Sequence, residues 1–164
     1  MASFHTKTFI KHDDYFTPKA AWTAIEQFIP KDKVIWECFF GDGESGKNLR
    51  ELGYTVIHEP IDFYEENHGD ILVSNPPYSD CKNIMPRLKA LGKPFVMLMP
   101  SSKINTSYFR ENFKDEKIQI IIPRKRIQFI KLKDGKKEQT HSCNFDCFYY
   151  AWKLGLENDI TWLE

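Results

Sequence analysis

Five consecutive apolar residues, Phe95-Val96-Met97-Leu98-Met99, narrow the folds open to this chain. A run without alternation needs cover on both faces, as a central strand has in a sheet flanked by helices. Ile71-Leu72-Val73, behind Asp70, is a second run of the same kind. Between them Ser79 or Asp80 can cap a helix from Cys81 to Leu91 that ends at Gly92, before Lys93-Pro94 opens the next strand. Strand, helix and strand in that order imply a parallel pair with a crossover.

The rest of the chain repeats the theme. After a dozen residues without periodicity, Thr17 as N-cap and Pro18 at the first helical position start a helix bearing Trp22, Ile25 and Phe28 at helical spacing. Tyr15 and Phe16 read as an apolar staple over it. Lys33 to Phe39 reads as a strand, 40–46 as a glycine-rich turn, and Lys47 to about Leu52 as a helix closed by Gly53. Tyr54 to Glu59 is the second strand. The stretch from there to Asn75 is too short for the usual connecting helix and a full third strand. Beyond the central run, a helix around Tyr108–Phe113 precedes a strand over Lys117–Pro123. Arg124 to Phe129 alternates in polarity toward an Asp134-Gly135 hairpin turn. Phe145 to Trp152 closes the sheet and a tail follows. The expectation is an α/β fold: a mostly parallel sheet, one antiparallel strand near one edge, helices on both faces, and a single domain over 1–164.

Hydrophobic residues make up 41% of the chain, which suits a packed core rather than a disordered segment. No apolar stretch approaches the ~20 residues of a membrane span, and 1–11 lacks the apolar core of a signal peptide. The expected setting is cytoplasmic, with no membrane contact. Cys38, Cys81, Cys143 and Cys147 lack paired spacing; His141, Cys143 and Cys147 hint at zinc without a fourth ligand, so buried thiols and no metal are expected. The formal net charge is +0, yet residues 1–70 carry 7 basic and 13 acidic side chains while 117–138 carry 8 basic and 2 acidic. That basic segment can meet phosphates or serve as a solvated hairpin tip.

The chemistry centres on Ser74-Asn75-Pro76-Pro77-Tyr78, where two prolines end a buried strand abruptly. Open α/β sheets bind ligands at such carboxyl ends. Asn75 offers a side-chain carbonyl and Pro76 a backbone carbonyl. Two acceptors side by side on a stiff turn suit the two hydrogens of a planar –NH2 group, and Tyr78 can cover the flat face behind it.

Asn75-Pro76-Pro77-Tyr78 resembles the catalytic motif of S-adenosylmethionine-dependent amino methyltransferases, above all the adenine-N6 DNA methyltransferases. Tyr15-Phe16-Thr17-Pro18 looks like the N-terminal cofactor-wall motif of that class, with the aromatic near the adenine and the Thr-Pro turn near the methionine portion. Glu37-x-Phe39-x-Gly41-x-Gly43 resembles its first cofactor motif, whose acid tends to sit near the cofactor's amino group. Glu59, at a strand end, is placed for ribose hydroxyls, and Asp62 is its rival. Asp62-Phe63 also resembles a motif whose carboxylate reads the cofactor's adenine amine. Arg126-x-x-Phe129 looks like a base-binding strand, which makes Phe129 either the ring opposite Tyr78 or a core phenylalanine.

The order of motifs resembles the gamma-type enzymes, small forms of which occur in phages and large DNA viruses and would work in a host cytoplasm. What the resemblance implies is a class I, Rossmann-like methyltransferase fold, S-adenosylmethionine as cofactor and DNA as substrate, with RNA as an alternative. It leaves no room here for a target-recognition domain. Arg124, Lys125 and Arg126 would then hold phosphates without reading bases, with loose recognition, a homodimer or a separate specificity subunit as the expectation. The same tetrapeptide occurs in RNA adenine and protein-glutamine N5 methyltransferases. A non-catalytic methyltransferase-like subunit is the rival of a different kind.

Overall fold

The computed structural model describes residues 15–133, 136–139 and 144–164, without the side chains of 132, 133 and 137–139. In chain order the elements are β1 Tyr15–Phe16, α1 Lys19–Thr23, β2 Val34–Trp36, α2 Glu44–Glu51, β3 Thr55–Ile57, β4 Ile71–Ser74 and α3 Cys81–Leu91. They continue with β5 Phe95–Pro100, α4 Ser107–Phe113, β6 Ile118–Ile122, β7 Ile130–Lys133, β8 Lys136–Gln139, β9 Cys147–Trp152 and β10 Ile160–Trp162.

Among the described residues, seven strands form one sheet in the order β10-β6-β9-β5-β4-β2-β3. All pairings are parallel except those of β9, which runs antiparallel between β5 and β6, third from one edge. This is the open, mostly parallel α/β sheet that the alternation of strand and helix anticipates, Rossmann-like as the resemblance implies. Every residue of β5 is buried. Val96 and Leu98 join one core with Val73, Ile35 and Tyr149, while Phe95, Met97 and Met99 join the other with Leu72 and Tyr150. A pleat that sends alternate side chains to opposite faces explains why the run has no polar member.

Four expectations need correction. Thr17 does not cap α1: the N-cap is Pro18, without a side-chain cap bond, and the Thr17 hydroxyl is engaged elsewhere. Tyr15 and Phe16 form a short strand paired antiparallel with β7 rather than a staple alone. Residues 124–129 take no regular strand; the hairpin begins only at Ile130, pairing β7 with β8 across 134–135, a turn outside the described residues. Finally, the tail holds β10, parallel to β6, which the alternation Ile160-Thr161-Trp162 signals in retrospect. The 58–70 link contains neither helix nor strand, as its length implies. Side chains fasten it instead. Arg87 of α3 donates to the carbonyls of Phe63 and Glu66, and Lys93 to those of His68 and Gly69.

Candidate functional site

Parallel pairing puts the carboxyl ends of β2, β3, β4, β5 and β6 along one edge of the sheet, and antiparallel β9 brings its start to the same edge. The segments following these ends carry Glu37, His58, Asn75, Lys103 and Arg124, with Phe145 and Asp146 ahead of β9. Sequence positions far apart are thus gathered by topology alone.

Two side-chain bonds tie this edge together. The Ser74 hydroxyl donates to Glu37 Oε1, which also accepts the Phe39 N–H at 3.0 Å. Burial pushes the Glu37 carboxyl up from the usual 4.5 to about 8, only partly offset by these two donors. One residue on, Asn75 Nδ2 donates to Thr17 Oγ1 at 2.9 Å. The hydroxyl that sequence logic assigns to a helix cap therefore joins the N-terminal motif to the Asn-Pro-Pro-Tyr turn. Asn75 Oδ1 is buried and, among the described residues, has no hydrogen-bond partner. A buried amide normally satisfies both ends. Here the donor end is anchored and the acceptor end is left for an incoming N–H.

The glycine loop is built for close approach. Gly41 and Gly43 hold φ of +59° and +86°, which favours glycine, and Gly43 closes a turn onto the Phe40 carbonyl at 3.0 Å. Gly46, inside α2, lies against His58 so tightly that a Cβ there would meet the ring nitrogen Nδ1 at 1.9 Å. His58 is 5% exposed, its Nε2 is buried without a partner, and burial lowers its pKa. Neither Gly46 nor His58 was singled out from the sequence. The extra glycine of the turn was the available signal.

The aromatic candidates divide into those near the cleft and those in the core. Tyr78 is half-buried, 6.0 Å edge-on from Phe145, with its hydroxyl 3.8 Å from Cys147 Sγ. Phe129, read from the sequence as either a base-facing ring or a core phenylalanine, is 1% exposed and stacks on Phe145 at 5.9 Å, and Phe145 is the ring beside Tyr78. Tyr15 packs edge-on against both. Phe63 is likewise a core ring, 3% exposed and 4.8 Å from half-buried Phe39. Of the two acids, Glu59 is exposed just past β3, whereas half-buried Asp62 accepts the Tyr64 N–H at 2.9 Å and builds a turn.

Arg124 and Lys125 are exposed, and Arg126 grips Asp146 through Nε and Nη2 at 2.9 and 3.1 Å. Cys38, Cys81 and Cys147 are buried thiols; His141 and Cys143 lie outside the described residues. Among the described residues no cluster of three His, Cys, Asp or Glu side chains is arranged to hold a metal ion, and no helix is long and apolar enough to cross a membrane. A groove of about 450 Å³ lined by Phe28, Leu156 and Trp162, among others, contains none of the motif residues.

No protein-family model matches the sequence, and no curated protein does. Among solved structures the chain is similar to a SAM-dependent O-methyltransferase from Thermotoga maritima, with TM-score 0.45 and 13% identity over 85% of this chain and 66% of that one. It is also similar to precorrin-6y C5,15-methyltransferase from Geobacter metallireducens, with TM-score 0.44 and 13% identity over 86% of this chain and 94% of that one.

Proposed function

We propose that this chain transfers a methyl group from S-adenosylmethionine to the exocyclic N6 amine of adenine in DNA. The observation that carries the reading is the buried, unpartnered Oδ1 of Asn75, held in place through its own amide nitrogen by Thr17. An unsatisfied buried acceptor costs about 1–3 kcal/mol, a cost that a bound N–H would remove.

The residues along the same edge fit the cofactor. Glu37 supplies a carboxyl for an ammonium group, Gly41 and Gly43 leave backbone open to close approach, and Glu59 offers a carboxylate to ribose hydroxyls. Tyr15 to Pro18 form the neighbouring wall through Thr17. When bound, S-adenosylmethionine supplies an electrophilic methyl group on a sulfonium.

The protein's part is electronic and positional. The lone pair of an adenine amine is delocalised into the ring and nucleophilically weak. Asn75 Oδ1 and the Pro76 carbonyl, each accepting one N–H, favour a pyramidal nitrogen and free that pair. Because the nitrogen gains positive charge only as the new bond forms, the interaction strengthens in the transition state and lowers the barrier. Tyr78 covers the base, and the amine's proton leaves after transfer. A base extruded from a duplex costs a few kcal/mol in stacking and pairing. Support for nucleic acid over an amide side chain comes from the exposed Arg124 and Lys125 on the same sheet edge as Asn75.

A tritiated-methyl assay on DNA, RNA and protein tests the proposal. Label on DNA adenine, absent with Asn75→Ala, is the expected result. Label confined to RNA or protein replaces the substrate, and label indifferent to the substitution refutes the mechanism. Calorimetry showing no binding of S-adenosylmethionine leaves the non-catalytic subunit as the reading.

A further inference from the structure

Beside the Asn-Pro-Pro-Tyr turn stands a cation that the motifs do not include. Lys103 lies in the 3-10 turn Ser101–Asn105 that follows β5, and its Nζ donates to the Tyr78 carbonyl at 3.2 Å and to the Tyr108 hydroxyl at 3.1 Å. Its backbone is held as well: the Lys103 carbonyl accepts the Thr106 hydroxyl at 2.6 Å, and Thr106 caps α4 through the Phe109 N–H. Both accepting groups on Nζ are neutral, and among the described residues no carboxylate pairs with it. An ammonium has three donors. One is spent on the motif and one on Tyr108, and the third, with the full charge, remains.

The surroundings extend the pattern. The Ser101 N–H donates to the Asp146 carbonyl at 2.8 Å, and the Asp146 carboxylate holds Arg126. Tyr78, Lys103, Asp146 and Arg126 are therefore one connected rim, with Arg124 and Lys125 just before it in sequence. A lysine fixed at both ends without a counter-ion, beside the ring meant to cover a base, suits an anion that arrives with that base. Resting on the function proposed above, we infer that Lys103 is a substrate-binding residue: it holds Tyr78 through its carbonyl and takes the phosphate of the nucleotide whose amine reaches Asn75. The substrate class is then a nucleotide in a polyanionic strand, not a protein amide.

The test is salt-dependent binding of a fluorescent adenine-containing single-stranded oligonucleotide to the full chain, read by anisotropy, alongside methyl transfer. A phosphate contact on a single strand contributes about 0.7 to the slope of log affinity against log salt. Lys103→Gln, which keeps a donor but loses the charge, should lower the slope by about that amount and raise the KM for DNA several-fold, with kcat changed less. Lys103→Arg should restore the slope. Lys114→Met, an exposed lysine at the end of α4, should leave it unchanged. An unaltered slope in Lys103→Gln, or a loss of kcat and thermal stability alone, overturns the inference and leaves a structural clamp. A lower slope in Lys103→Gln, when the wild-type chain methylates no nucleic acid, upholds the phosphate contact while removing the proposed reaction.

Discussion

The carboxyl ends of β4 and β3 flank β2 on the same edge of the sheet, yet they are finished in opposite ways. After β4, Ser74 is bonded to Glu37 and Asn75 to Thr17, so two segments distant in sequence brace one turn. After β3, His58 turns inward with an unpartnered Nε2, and Glu59 stands in solvent. One end is pre-organised and the other is open. Groups that must meet a changing charge gain from fixed placement, because no reorganisation is then needed during reaction. Groups that only hold a ligand can close on it when it arrives. On the function proposed above, chemistry falls to the β4 end and grip to the β3 end.

The largest effect should come from Asn75→Ala, which strikes the braced end. Losing one transition-state hydrogen bond of this kind lowers turnover by about 10²–10³. Thermal stability should move little, because relief of the unsatisfied buried acceptor, about 1–3 kcal/mol, offsets the lost bond to Thr17, about 0.5–1.5 kcal/mol. A paired fall of turnover and melting temperature would show Asn75 to be a structural brace and would dissolve the contrast.

Next comes pH. Glu37 is raised to about 8, so the folded chain keeps its proton where an unfolded chain has released it. The stability it contributes is complete below about 4.5 and is lost as pH rises through about 8. Glu37→Gln should flatten that decline in a series of thermal melts. Because an ammonium ligand favours the ionised carboxylate, calorimetry of S-adenosylmethionine near neutral pH should show proton release, as an enthalpy that varies with the buffer. A wild-type melting temperature that rises over this range would place Glu37 in a more polar setting.

Gly46→Ala strikes the open end. Its Cβ would fall on the His58 ring, so α2 or His58 must shift, at a cost of about 1–3 kcal/mol typical of overpacking. His58→Ala in the same chain should recover much of the loss, since the two sites touch and their effects cannot be additive. A Gly46→Ala chain as stable as the parent would show that the β3 end yields without cost.

Much of this was legible in the sequence because local rules and burial agree. The runs at 71–73 and 95–99 demanded central strands, and they occupy β4 and β5. Asn75 sits at a strand end because prolines cannot extend the ladder. What escaped was decided by tertiary contact. Thr17 carries a good capping side chain, but Asn75, 58 residues away, outbids the helix terminus for its hydroxyl. Phe129 reads equally as a base platform or a core ring, and only the position of Phe145 resolves it. Lys103 has no motif around it, since its partners Tyr78 and Tyr108 come from two different segments.

The smallest effect separates the two acids past β3. Asp62 already accepts the Tyr64 N–H, and its backbone carbonyl takes the N–H groups of Glu65 and Glu66, so it shapes the link. Among the described residues Glu59 makes no side-chain hydrogen bond, and it is exposed beyond the strand, the place from which a carboxylate can accept two hydroxyls. Hydrogen bonds to a charged group contribute about 1.5–3 kcal/mol, so Glu59→Ala should weaken binding of S-adenosylhomocysteine tenfold or more by calorimetry without moving the melting temperature. Asp62→Ala should do the reverse, lowering stability by about 1 kcal/mol through a lost turn bond while affinity falls less. If Asp62→Ala abolishes binding in a chain that melts normally, the ribose lies further along the link. The β3 end would then be as firmly constructed as the β4 end, its working carboxylate preset by the turn that begins at Asp62.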